Sequence, residues 1–236
     1  MKRPLLIILN PRRITQCMDA FAALHVDKAY VRNYTEAQIA HTAWRDVMER
    51  APWADPISVV SDDTIVTQKA LSTVLALQAT HPNLCVTGWC PLATGHHLCN
   101  LSCNRLPKGP PEAGSYDFLT CDDARAERPG LISSSFTGMA LTTMSRELWE
   151  RFPFGVYGPM GKGFSSDYHL SYRLQDSISI VSHRDAEINH VKATWNTLDR
   201  TPGRELMVGR EPSQVFVVRP EPRCDTPLAR TLKAAA

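Results

Sequence analysis

Two adjacent aspartates, Asp62 and Asp63, follow the short, mostly apolar segment 57–60 after a single serine, Ser61. A short apolar segment of this kind predicts a buried strand, and ligands of open α/β sheets bind outside the carboxyl ends of strands. Neighbouring carboxylates repel each other unless a cation neutralises them, and their oxygens suit Mg2+ or Mn2+. The pair therefore predicts a divalent cation site, with capping of the following helix as the alternative.

Two further residues that can do chemistry come later in the chain. Asp167 follows a segment with four glycines, 155–163, and lies near the start of a predicted helix over 165–174. A helix N-terminus favours an ionised carboxylate, and a glycine-rich loop can close over a substrate and exclude water. His190 ends a predicted strand over 187–191, where its imidazole could bind a metal ion. The alternatives are an N-cap for Asp167 and a packed structural histidine for His190.

The elements that must position these residues alternate along the first ninety residues. Apolar segments predict strands at 4–9, 28–32, 57–60 and 84–87, with helices at 15–24, 35–51 and 67–79 between them. This alternation implies an α/β fold whose sheet is mostly parallel and carries helices on both faces. The later segments predict a loop at 104–115, a strand at 138–143, a helix at 145–152 and strands at 178–182 and 187–191.

Length and composition narrow the class of protein. The chain has 236 residues, a formal net charge of +2 and 43% hydrophobic residues, which suits one globular domain with a trailing arm, 196–236. It has no apolar stretch of eighteen residues, so we expect no membrane partner. Seven cysteines without a secretory signal predict reduced thiols in a cytoplasmic protein.

The order of these features resembles the nucleotide-sugar glycosyltransferases of the GT-A fold, in particular the family-2-like group. After the acidic pair comes the Gly-Met-Ala-Leu segment 138–141, which leads into a helix ending near Phe152. An Asp-x-x-Leu-Ser-x-Arg-Leu helix, 167–174, and a strand ending in His190 follow. The resemblance covers residues 4 to 192. It implies a Rossmann-like GT-A catalytic domain over 1–195, with a nucleotide-sugar-binding half (1–103) and an acceptor-binding half (104–195).

The resemblance also implies the roles of the metal-site residues. Asp63 matches the direct ligand of Mn2+ or Mg2+ in the family's Asp-x-Asp motif, and Ser61 stands at the first aspartate of that motif. Asp62 matches the neighbour that faces the nucleotide ribose or the water shell of the metal. His190 matches the histidine that completes the metal site in some members.

The remaining roles concern the donor and the reaction. The turn after the first strand, with Asn10, Arg12 and Arg13, occupies the position that binds the nucleotide, where an arginine can meet the base or the diphosphate. The expected donor is a nucleoside diphosphate sugar, with a UDP-sugar first. Asp167 matches the general base of inverting members, which predicts inversion at the anomeric carbon. Ser166 and His169 replace acidic residues of the family's motif.

The acceptor is predicted less directly. The segment 191–236 carries eight Lys and Arg against five Asp and Glu, a charge of +3, and Arg105 and Lys108 lie in the Pro- and Gly-rich loop. In size the chain resembles the small phage-type enzymes that glycosylate hydroxymethylated pyrimidines in DNA, so we expect DNA as the first acceptor to test. A polysaccharide, a protein side chain and a small metabolite are the alternatives. No obligate protein partner is inferred.

The residues of the sequence are also compatible with other sites and functions. A metal-dependent phosphoesterase would use Asp62, Asp63, Asp167, His183 and His190. A non-catalytic nucleic-acid-binding module would show salt-sensitive affinity without a need for a nucleotide sugar. A zinc site is a further alternative, with candidate ligands Cys85, Cys90, Cys99, Cys103, His96 and His97. Trp89 and Trp195 are candidates for stacking against the acceptor.

Overall fold

The computed structural model of the protein describes residues 2–10, 14–32, 43–92, 97–103, 117–153, 166–191 and 214–218. Within these ranges the protein has an α/β architecture built on a mixed eight-stranded sheet with helices on both faces. None of the described helices is long and apolar enough to cross a membrane.

The strands of the main sheet lie in the order β12-β2-β1-β3-β9-β5-β10-β8. These strands are β1 (Arg3–Asn10), β2 (Asp27–Arg32), β3 (Ala54–Ser61), β5 (Cys85–Trp89), β8 (Leu131–Ser134), β9 (Ala140–Met144), β10 (Ile180–Glu187) and β12 (Gln214–Val218). Five of them run in one direction, and β8, β9 and β12 run in the other.

Short strands outside the main sheet form two small ladders. They are β4 (Thr64–Ile65) with β11 (Asn189–His190), and β6 (Leu98–Ser102) with β7 (Phe118–Thr120). The helices are α1 (Thr15–Ala22), α2 (Trp44–Arg50), α3 (Gln68–Thr80), α4 (Cys121–Ala126), α5 (Arg146–Arg151) and α6 (Ser166–Leu174).

The alternation of side chains along β1 divides the core into two halves, because successive residues of a strand point to opposite faces. Leu5, Ile7 and Leu9 share one apolar cluster with side chains of α2, α5 and α6. Leu6 and Ile8 share the other cluster with side chains of α1 and α3. The helices on the two faces thus keep both sides of the strand away from water, which explains why its sequence is apolar from Leu5 to Leu9.

Three parts of the fold differ from the sequence prediction. The strands predicted at 178–182 and 187–191 are one long strand, β10, followed by the two-residue strand β11 in a separate ladder. The elements β6, β7, α4 and β8 were not predicted, because each has six residues or fewer and shows little periodicity. Residues 214–218 of the predicted arm form β12, which adds to the main sheet beside β2.

Gly88 allows β5 and β9 to approach each other closely, and we expect Gly88→Ala to destabilise the protein. A Cβ at this position would lie 2.4 Å from the backbone oxygen of Ala140 and 3.2 Å from that of Ala186. Backbone atoms in the middle of a sheet cannot move aside, so we expect a loss of about 3 kcal/mol in the free energy of unfolding, measured in urea. Gly138→Ala is the control, since the three heavy atoms nearest to a Cβ there belong to the side chains of Asn100 and Phe136 and not to the backbone. A loss no larger than the control's would contradict this account.

Candidate functional site

The acidic pair lies at a topological switch point of the sheet. From β1 the chain crosses to β2 on one side and then to β3 on the other, and both pair with β1 in parallel. Ligands of open α/β sheets bind in the crevice that such a reversal opens at the carboxyl ends of the strands. Asp62 and Asp63 form the turn directly after β3, and the Asp62 N–H donates to the Leu9 carbonyl at the end of β1 (3.0 Å).

A small ladder brings His190 to Asp63, 127 residues earlier in the chain. His190 pairs with Thr64 in the β4–β11 ladder, and the Val191 N–H donates to the Asp63 carbonyl (2.6 Å). The Ile188 N–H donates to the Trp89 carbonyl at the end of β5 (2.8 Å), which holds this segment at the same edge of the sheet. As a result, His190 Nε2 lies 3.0 Å from Asp63 Oδ2.

The chemistry of this pair follows from its hydrogen bond. An ionised carboxylate only accepts hydrogen bonds, so the proton between the two groups belongs to His190 Nε2. The side chains of Asp63 and His190 keep 13% and 18% of their surface exposed. Among the described residues, the buried Nδ1 of His190 has no hydrogen-bond partner. The pair is therefore partly open to solvent at Asp63 and Nε2, whereas the buried Nδ1 lies on the other side of the imidazole ring.

The separation of the pair also fits two ligands of one metal ion. Adjacent ligands of an octahedral ion with bonds of about 2.1 Å lie about 3 Å apart. Asp63 Oδ2 and His190 Nε2 have this separation. A cation would lie to the side of the line between these two atoms, so the imidazole ring would turn to direct the Nε2 lone pair toward it. In the described part of the chain, no group of three or more His, Cys, Asp and Glu could hold a metal. Further ligands would then come from water and from a bound phosphate, as is common for Mg2+.

The helix-capping alternative for Asp62 and Asp63 is wrong for α3. The residue that caps α3 is Thr67, whose hydroxyl accepts the Ala70 N–H (3.1 Å). Asp62 has no exposed surface, whereas Asp63 faces His190. The two aspartates therefore have different surroundings. The predicted contact of Asp62 with a ribose or a metal-bound water would require the turn to rearrange and expose its side chain.

Asp167 lies in the first turn of α6, where the helix dipole favours the ionised carboxylate. One of its oxygens, Oδ1, accepts the N–H of the next residue, Tyr168 (2.7 Å). An N-cap would accept the N–H of a residue two or three positions later, so this is a local contact and not the predicted cap. A carboxylate has two oxygens with about four acceptor positions, so this contact is compatible with a second role.

A hydrogen bond from the segment before β9 to a serine of α6 holds this helix against the sheet. Ser171, one turn after Asp167, accepts the Thr137 N–H (2.9 Å). The chain then continues from Thr137 to Met139, whose carbonyl accepts the Ser61 N–H at the end of β3 (3.1 Å). The start of α6 and the acidic turn are thus connected through the segment that enters β9.

His169 on α6 has a perturbed titration that can be measured. Burial, and then the positive charge of Arg173, lower the pKa of His169 below its ordinary value of 6.5. Its contribution to stability is therefore fully present above pH 6.5 and is lost as the pH falls through the lower folded-state pKa. We expect an NMR titration of the His169 ring to give a midpoint below 6.5, and Arg173→Gln to raise it. A midpoint at or above 6.5 would contradict this placement of the imidazole.

Some of the predicted site residues lie outside the described part of the chain. These are Arg12, Arg13, Arg105, Lys108, His96, Trp195 and the glycine-rich segment 155–163. Asn10 ends β1 opposite Arg32 of β2, so its backbone is at the predicted edge of the sheet. The structure thus tests the backbone position of Asn10 but none of the proposed nucleotide contacts.

Comparisons with known proteins find a weak structural similarity but no family. No protein-family model matches the chain, and no curated protein matches it. Among solved structures, one similar chain is described as the crystal structure of A197 from STIV. The similarity covers 82% of this chain and 96% of that chain, with 9% sequence identity and a TM-score of 0.47.

Two of the other sequence hypotheses lose support. Trp89 has no exposed surface and donates from its indole nitrogen to the His183 carbonyl (3.2 Å), so it cannot stack against an acceptor. His183 packs against Gly130, and its Nδ1 accepts the Asp185 N–H (3.1 Å), which holds it in a structural contact. It therefore does not join His190 in the ligand set that the phosphoesterase alternative needs.

The zinc hypothesis also finds no support in the described residues. Cys85, Cys90 and Cys99 are buried, and burial raises the pKa of Cys85 and, to about 11, that of Cys99. No group of three or more His, Cys, Asp and Glu within the described ranges could hold a metal ion. These three cysteines accordingly behave as small core residues.

Sequence reasoning missed Ser171 and the hydroxyl-bearing residues that it contacts. Ser171 was part of the motif 167–174, but a serine inside a helix gave no separate signal of function. The informative pattern is its spacing, because residues four apart lie on the same face of a helix. Ser171 therefore shares a face with Asp167, and it has no exposed surface.

Proposed function

We propose that the protein is a metal-dependent glycosyltransferase of the GT-A type, which moves a sugar from a nucleoside diphosphate sugar to an acceptor hydroxyl. The observation that carries this proposal is the Asp63–His190 pair, with 3.0 Å between Oδ2 and Nε2, at the switch point of the sheet. Asp167, on a helix joined to the same edge through Ser171 and Thr137, supplies the second functional group.

The metal-binding half of the site fits a nucleotide diphosphate. Asp63 and His190 would hold Mn2+ or Mg2+, which supplies positive charge that stabilises the leaving diphosphate. The carboxylate of Asp63 gives the site its negative charge, and the neutral imidazole of His190 adds a nitrogen ligand. The β4–β11 ladder fixes both residues through backbone hydrogen bonds, so their separation does not depend on a flexible side chain alone.

The acceptor half depends on Asp167. In the proposed reaction, the Asp167 carboxylate takes the proton of the acceptor hydroxyl while that oxygen attacks the anomeric carbon. The bond between this carbon and the diphosphate oxygen breaks in the same displacement, so the configuration inverts. The helix dipole at the start of α6 favours the ionised carboxylate, and the proton transfer requires the acceptor hydroxyl within hydrogen-bond distance.

A turnover screen tests the proposed function. The full chain is incubated with Mn2+ and a panel of nucleoside diphosphate sugars, UDP-sugars first, and the released nucleoside diphosphate is measured. Parallel reactions contain hydroxymethylated DNA, unmodified DNA, a polysaccharide or a small alcohol. We expect metal-dependent release from at least one donor and stimulation by the hydroxymethylated DNA. No release from any donor would contradict the glycosyltransferase proposal, whereas stimulation by another acceptor alone would change only the acceptor.

A further inference from the structure

A chain of buried hydroxyl groups lies between α6 and the sheet, starting at Ser171. The Ser171 hydroxyl accepts the Thr137 N–H (2.9 Å) and donates to the Asp167 carbonyl (2.7 Å), one turn earlier in α6. Ser171 and Thr137 have no exposed surface. Each of these hydrogen bonds therefore lacks a competing water, and the loss of one leaves a buried polar group unpaired.

The hydroxyl of Thr137 continues this chain into the sheet. It donates to Thr87 of β5 (3.0 Å) and also forms a hydrogen bond with Thr142 of β9. The Thr87 hydroxyl in turn donates to the Gly88 carbonyl (3.0 Å). Because a hydroxyl has a single proton, these contacts fix the direction of each donor and specify one arrangement of the side chains.

The segment between Thr137 and β9 links this network to the metal-site turn. Met139 and Leu141 have positive φ angles of 52° and 87°, and Leu141 is the extra residue of a bulge opposite β3. Positive φ is costly for residues other than glycine and persists only where the surrounding structure enforces it. Here the Met139 carbonyl accepts the Ser61 N–H (3.1 Å), two residues before Asp63.

We propose that Ser171 is a positioning residue, which sets the location of the Asp167 carboxylate relative to the Asp63–His190 pair. This inference rests on the proposed function, because it assigns Asp167 the role of the base. The physical reason is that the first turn of α6 is tied through Ser171 and Thr137 to the same strained segment that contacts Ser61. At its other end α6 is tied by Arg173, whose guanidinium donates to the Pro153 carbonyl (3.3 Å).

The test compares Ser171→Ala with a matched serine variant. Ser58→Ala is the control, because Ser58 is also a buried serine whose hydroxyl bonds to a threonine of β9, Thr143 (2.7 Å), but it does not contact α6. A displacement of a reacting group by about 1 Å can lower a rate by about 100-fold. We therefore expect Ser171→Ala to lower kcat by about this factor, with the KM for the donor and the Mn2+-dependent donor affinity within about threefold of wild type.

A second variant changes the same hydroxyl network without altering any residue of α6. Thr137→Val removes the hydroxyl contacts to Thr87 and Thr142 and leaves the Thr137 N–H that Ser171 accepts. It is expected to lower kcat with unchanged donor affinity, whereas Ser58→Ala leaves kcat within about threefold of wild type.

The outcomes separate this inference from the proposed function. An active wild-type protein in which Ser171→Ala and Thr137→Val keep the kcat of Ser58→Ala would overturn the positioning role alone. Equal losses in kcat and donor affinity in Ser171→Ala would also overturn it, because they indicate general disruption of the site. A wild-type protein that turns over no donor would overturn the proposed function and, with it, the positioning role.

Discussion

Replacement of Asp63 by alanine is expected to abolish sugar transfer and the metal-dependent part of donor binding. The variant removes the only carboxylate within hydrogen-bond distance of His190 in the described part of the chain. Loss of a direct metal ligand removes several kcal/mol of charge stabilisation. We expect the affinity for a UDP-sugar in Mn2+ to fall by at least about 100-fold, measured by titration calorimetry.

A second variant of Asp63, with a control elsewhere in the chain, separates the effect of its charge from the effect of its structure. Asp63→Asn keeps the size of the side chain and an oxygen that can accept the His190 Nε2–H, so it should fold normally and still lose the metal dependence. Asp185→Ala is the control, because Asp185 forms an exposed ion pair with Lys69 (3.1 Å) and should leave donor binding unchanged. Wild-type affinity in a folded Asp63→Ala variant would remove Asp63 from the metal site.

Replacement of Asp167 by asparagine is expected to abolish transfer while donor binding remains. The asparagine oxygen can still accept the Tyr168 N–H, so the start of α6 should be preserved, but the amide cannot take a proton from an acceptor hydroxyl. General base catalysis contributes about 100- to 10,000-fold, so we expect kcat to fall within that range. The donor affinity in Mn2+ should stay within about threefold of wild type.

The control for Asp167→Asn is Asp122→Asn. Asp122 also lies in the first turn of a helix, α4, but its side chain is 95% exposed and forms a surface ion pair with Arg125. Both variants remove a negative charge near a helix N-terminus and should cost a similar, small amount of stability. Full transfer activity in Asp167→Asn would exclude the base role, and a parallel loss of donor binding would assign Asp167 to the donor site instead.

Much of the fold could be predicted from the sequence because its central strands are continuously apolar. The segments at 4–9 and 57–60 became the buried strands β1 and β3, since strands covered on both faces need no polar alternation. The order of the strands in the sheet could not be predicted from the pattern of apolar residues. In particular, nothing in the sequence of β9 shows that it runs antiparallel between β3 and β5, with a bulge at Leu141.

The candidate site could be predicted in part, through the resemblance to the GT-A glycosyltransferases. That resemblance implies that Asp63 and His190 share one metal site, and the structure brings the two side chains within 3.0 Å. The β4–β11 ladder that does so has two residues in each strand, too few for any periodicity. The role of Ser171 could not be predicted, because it depends on the contact between α6 and Thr137, which are distant in sequence.

The central claim, that Asp63 and His190 hold a metal ion that binds a nucleotide sugar, is tested most directly by calorimetric titration of the full chain with UDP-sugars. The titrations are made in Mn2+ and in EDTA, with wild type and His190→Ala side by side. The account predicts that wild type binds at least one donor in Mn2+, that EDTA weakens this binding by at least about tenfold, and that His190→Ala removes the difference. Failure to bind any donor in Mn2+, or binding of equal strength in EDTA, would contradict it.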